Sequence, residues 1–196
     1  MRPRAPLSWT KIWPVASRLL RDRRAATAVE FAVIAPLALL LLIGEYTLTD
    51  AMSTQRKVTI TAHTIADLVA RQTSVTSTTM TEILNATAQI VSPYNMSDTS
   101  VVVAELMTNA NGNTTVIWSQ ATPNGTALTQ GSTFALPSGM TVPNTSLIYS
   151  SASFNYTPVL KSKFFGPTVF SSTFFESPRV IGCIPYNAPQ CPPPPN

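Results

Sequence analysis

Glu30 is the one acidic residue in an otherwise apolar stretch, Ala25 to Gly44 (AATAVEFAVIAPLALLLLIG). A carboxylate at the centre of a bilayer costs about 2.5–3.5 kcal/mol, and less towards the interface. Two readings follow. Either Glu30 sits near the headgroups and snorkels, with Arg23 seven residues earlier on roughly the same helical face, or it meets a partner inside the membrane. The second group with chemistry is Cys183 and Cys191, close enough in sequence to close a short disulfide loop in an oxidising compartment. Little else is reactive. His63 is the single histidine, and with two late cysteines it builds no zinc site of the usual ligand set. No phosphate-binding glycine loop, dinucleotide fingerprint or nucleophile elbow occurs. Asp67, Glu82, Asp98, Glu105 and Glu176 are scattered and form no spaced carboxylate pair. The expectation is therefore no catalytic residue, no cofactor and no metal.

The elements that carry these residues are legible. From Phe31 to Ile43 there is no charge, and Ala25 to Gly44 as a helix spans about 30 Å, the thickness of a bilayer core. The expectation is one transmembrane helix, residues 25–44. Residues 1–24 carry a net charge of +6, against +4 for the whole chain. The high pI of about 9.3 thus comes from a short basic tail beside a membrane helix and does not signal nucleic acid. The positive-inside rule puts that tail in the cytoplasm and the rest across the membrane. Trp9 and Trp13 suit a headgroup interface. Arg23-Arg24 needs no export signal to explain it there, and Thr49-Asp50-Ala51 is a poor signal-peptidase site.

Residues 45–72 hold neither Gly nor Pro, and Ala51, Gln55, Val58, Ala62, Ile65 and Val69 recur at alternating four and three spacing. The helix is expected to continue to residue 72 with one semi-apolar stripe, about 70 Å in all. A Ser/Thr-rich linker (Thr73 to Thr79) and a helix over Met80–Val91 come next. The period then changes to two: strands are expected at Val101–Met107, Thr114–Ser119, Leu147–Tyr156 and Thr168–Phe175. Asn111-Gly112 is placed in a tight hairpin turn, with Val116 and Trp118 on one face of the following strand. Residues 121–145 read as a turn-rich surface excursion with a short strand near Phe134. The fold class is α+β: a long N-terminal helix on a small antiparallel sheet over 73–182, then a Pro-rich segment, 183–196.

Residues Arg23 to Ala32 (RRAATAVEFA), with Pro36 and the leucine run to Gly44-Glu45, resemble the TadE-like (TadE/TadG) family, pilin-like proteins of the bacterial tight-adherence (Flp) pilus assembly system. Arg56-Lys57-Val58-Thr59, Ile65-Ala66-Asp67-Leu68-Val69 and the strand end Phe154-Asn155-Tyr156-Thr157-Pro158 are similar to later parts of that family. The resemblance is carried by residues 21–72. It implies a pilin-like domain in the periplasm, a non-enzymatic role as a minor pilin or assembly component, and assembly residues Glu30, Phe31 and Pro36. Its implied partners are the inner membrane, other pilin-like subunits and the tight-adherence secretion machinery. It also implies prepilin-type processing between Ala25 and Ala26. Processed members carry Gly before the cut where this chain has Ala25, so a cleaved and an uncleaved anchored form both stay open. Two rival readings are a signal-anchored exported binding protein or hydrolase, and a single-pass surface glycoprotein. The second draws on N-x-S/T triplets at Asn85, Asn95, Asn113, Asn124, Asn144 and Asn155.

Overall fold

The computed structural model describes residues 23–158 and 166–191, with side chains from residue 26. The basic tail with Trp9 and Trp13, and the final prolines, lie outside the described residues. The chain divides into two compact units, one up to Leu48 and one from Thr49. A single helix, α1 (Arg23–Ala70), contributes to both and contains Pro36. No Gly or Pro follows Gly44 until the helix has ended, so nothing in the backbone chemistry interrupts it.

In the first unit, the side chains of α1 are exposed from Ala26 through Ile34. Phe31 is 72% exposed, and Leu37, Leu39, Leu40, Leu41 and Leu42 are exposed as well. A helix apolar all round and uncovered by protein suits a lipid environment. This helix is long and apolar enough to cross a membrane.

In the second unit, the expected stripe of α1 faces inward. Val58, Ala62, Ile65 and Val69 are buried, joined by Ala66 and Ala70, and Ala51 packs against the same core. Thr54 and Thr61 are also buried. Each turns its hydroxyl back to a carbonyl four residues earlier, Asp50 and Lys57, which satisfies the group without an outside partner. A second helix, α2 (Ser77–Val91), starts three residues before the expected Met80, because Thr76 caps it by accepting from the Thr79 amide. It adds Met80, Ile83 and Leu84 to the core.

Four strands follow: β1 (Thr99–Thr108), β2 (Thr114–Ala121), β3 (Thr145–Tyr156) and β4 (Thr168–Glu176). They form one antiparallel sheet in the order β2-β1-β3-β4. Val101 and Val103 of β1 and Ile148, Ala152 and Phe154 of β3 share the core with the two helices. The other face carries Ala104, Leu106 and Val116, covered by Leu128, Phe134 and Leu136 of the 121–145 excursion. Near Phe134 the expected strand reduces to a single bridge, Thr115 with Thr133.

One local expectation holds and one is corrected. Asn111-Gly112 lies in the tight turn that joins β1 to β2. The turn is Asn109 to Gly112, closed by the Gly112 amide on the Asn109 carbonyl. Gly112 alone has positive φ, +84°, and the Asn109 side chain accepts from the amides of Asn111 and Asn113. Val116 and Trp118, expected on one face, do not share one. The β1–β2 register shifts between Glu105 and Leu106, so Leu106 opposes Val116 while Glu105 opposes Trp118. The extra residue, Ile117, forms a bulge that sends Trp118 to the helix side of the sheet.

Candidate functional site

Of the residues marked by the sequence, Glu30, Phe31 and Pro36 all lie on the exposed part of α1, and Ala25 and Ala26 lie in its first turn. Nothing within the first unit covers the Phe31 ring. His63 is exposed, its ring edge-on to Phe174 at 4.4 Å between centroids. Cys183 and Cys191 are joined in a disulfide, with Cα atoms 6.3 Å apart. The apolar-helix residues and the cystine belong to different units.

The group that the sequence reading passed over is Glu105. Four other acids set beside it, Asp67, Glu82, Asp98 and Glu176, keep some exposure, whereas Glu105 is completely buried. Its position follows from strand alternation. Val101, Val103, Glu105 and Met107 are odd residues of β1, and Val101, Val103 and Met107 turn to the helix side. The available signal was a carboxylate in the middle of an apolar odd-numbered row.

Three donors from three parts of the chain meet Glu105. Its Oε2 accepts from Trp118 Nε1 on β2 at 2.9 Å. Its Oε1 accepts from Ser146 Oγ on β3 at 2.9 Å and from the Ile184 amide at 2.8 Å. Trp118 Nε1 has a second acceptor, the Ile184 carbonyl, at 2.7 Å. Burial pushes the Glu105 carboxyl up to about 7, against the downward pull of the Ile184 amide, Ser146 and Trp118.

The Ile184 end belongs to a strap, residues 179–191. The Arg179 amide caps α1 by donating to the Ala70 carbonyl, and Val75 exchanges backbone bonds with Pro185 and Asn187. Asn187 Oδ1 accepts from the Ser77 amide at the start of α2. Arg179 also pairs with Asp67 at 2.7 Å and with Glu176 at 3.0 Å. Ile184 is the strap residue that is fully buried in the core. The disulfide closes the strap beside Glu105: a carboxylate oxygen and both sulfurs lie within 4.8 Å of one another.

Midway along α1, at the start of the second unit, a second carboxylate joins helix to sheet. Asp50 accepts from Tyr94 at 2.8 Å on one oxygen and from Tyr156 at 2.8 Å on the other. Lys57 donates to the Ser92 carbonyl and lies over the Tyr94 ring. In the first grouping the hydroxyl beside the carboxylate, that of Ser146, is buried along with it. Compared with family models, curated proteins and solved structures, the chain matches none of them.

Proposed function

We propose that this chain is a membrane-anchored, pilin-like, non-enzymatic component of a bacterial tight-adherence pilus, either a minor pilin or an assembly subunit. In this reading the basic N-terminus is cytoplasmic and the α+β domain is periplasmic. The observation that carries it is α1. One unbroken helix offers an exposed length that is apolar but for Thr27 and Glu30 and then supplies the inner stripe of a sheet-based core. A cleavable leader has no reason to run on into the core of the mature domain. The uneven charge, +6 before the helix, supports the orientation.

Glu30 is then the assembly residue, in contact with a neighbouring pilin-like subunit or the secretion machinery. Glu30→Gln is expected to leave protein level and insertion intact and to abolish pilus assembly, with Glu30→Asp impairing it less. Normal pili with Glu30→Gln at wild-type protein level would sink this role and leave snorkelling as the account. A reporter fused after Asn196 is expected to work only if it matures in the periplasm. The N-terminal residue of protein taken from native membranes separates cleavage at Ala25-Ala26 from an uncleaved anchor.

A second reading, an exported binding protein held by the same helix, draws on a groove of about 470 Å³ beside Trp118 and Tyr186. Its rim carries the neutral side chains of Gln120, Gln130 and Gln190. Retention of a soluble ligand by the purified chain would favour it.

A further inference from the structure

The Cys183–Cys191 bridge has an unusual neighbour for a structural disulfide. A fully buried carboxyl stands within 4.8 Å of both sulfurs, while the two half-cystines are only partly covered. A reagent therefore has access from outside and a proton-carrying group waits inside. The two oxygens of Glu105 differ. Oε1 holds Ser146 and the Ile184 amide. Oε2 has only Trp118 Nε1, which keeps its bond to the Ile184 carbonyl if Oε2 takes a proton. Oε2 is thus the oxygen that can gain and lose a proton without stranding a donor.

We propose that Cys183–Cys191 is an exchangeable disulfide, reduced by an external dithiol, and that Glu105 donates the proton to the sulfur that leaves. A thiolate of the dithiol attacks one sulfur of the bridge and forms a mixed disulfide. The S–S bond breaks, its electron pair goes to the other sulfur, and that sulfur takes the proton from Glu105 as its side chain turns. The second thiolate of the dithiol then attacks its own partner sulfur. This releases the remaining cysteine, which is protonated by water, and Glu105 is reprotonated from solvent. The net change is protein disulfide plus dithiol to protein dithiol plus oxidised dithiol. The reverse reaction uses Glu105 as the base.

The surroundings make the assignment specific. The groups that face the carboxyl are the Trp118 indole from β2, the Ser146 hydroxyl from β3, and the Ile184 amide and two half-cystines from the strap. None is charged. Tyr186, the nearest phenol of the strap, stacks on Trp118 at 5.7 Å instead. No charged neighbour from α1 or α2 contributes to holding the carboxyl up at about 7; burial does. An acid titrating there matches the working pH and is well placed to protonate a thiolate, whose ordinary value is about 8.5.

The test is the rate at which dithiothreitol reduces the full-length protein in detergent micelles, followed by mass-resolved thiol labelling. Rates are divided by the dithiothreitol thiolate concentration at each pH. The corrected rate for the wild type is expected to fall about tenfold between about pH 6 and pH 8, as a single titration near 7. Glu105→Gln is expected to be slow and flat across that range. A flat wild-type profile, or the same profile in both proteins, overturns the proposal. Should Glu105→Gln fail to fold, Ser146→Ala removes one donor from the carboxylate and is expected to move the midpoint upward. A midpoint unmoved in Ser146→Ala overturns it equally.

Discussion

Protonation of Glu105 is coupled to folding. Its carboxyl titrates near 7 in the fold and near 4.5 in the unfolded chain. Below about pH 4.5 both states are protonated and the contribution of this group is fully present. Between 4.5 and 7 the unfolded chain ionises first, so stability falls as pH rises, and above 7 nothing more is lost. The difference corresponds to roughly 3 kcal/mol. Asp67 acts in the opposite sense and in a lower window: Arg71 and then Arg179 hold its carboxyl below the ordinary value, so its contribution is lost only as the medium becomes strongly acid. Denaturation of the full chain in micelles should therefore show lower stability at pH 7.5 than at pH 5, and Glu105→Gln should remove most of that difference. The substitution keeps the Ser146 and Ile184 bonds if its oxygen sits at Oε1, and it sets an amide against only Trp118. An unchanged slope in the variant would show that another group is responsible.

The elements differ in how far their environment is local. The stripe of α1 was legible because a 3.6-residue period is written in consecutive residues, and so were the strands with their period of two. Ile65 is fully buried in that stripe, so Ile65→Ala should cost about 2–5 kcal/mol. Met52 is 66% exposed, and Met52→Ala should stay within about 0.5 kcal/mol. Equal losses in urea melts would mean that the stripe is misassigned. The bulge was not legible. Whether Val116 and Trp118 share a face depends on a register shift opposite Glu105, and nothing in β2 alone records its partner. The turn at Asn111-Gly112 was legible, though not its backbone detail. Asn-Gly favours two left-handed residues, but here Asn109 Oδ1 accepts from two amides of the turn and only Gly112 is left-handed. Gly112→Ala should cost about 1 kcal/mol or more, read from the same melts.

At the scale of the whole molecule, the sequence exposes what is near in the chain and hides what is far. An apolar helix with basic residues before it is visible at once. The partners of Glu105 lie 13, 41 and 79 residues downstream, and no window of residues brings them together. That spacing bears on when the fold can form. A ribosome delivers Glu105 well before Ser146, and Ser146 well before Ile184. Until Ile184 arrives, the sheet must either leave a carboxylate without its full set of donors or stay open to water around it. The loop also has to close over 79 residues, which slows the last step. A nascent chain is thus held unfinished, with Glu105 short of the Ile184 amide and Trp118 short of the Ile184 carbonyl. Completion waits for the strap.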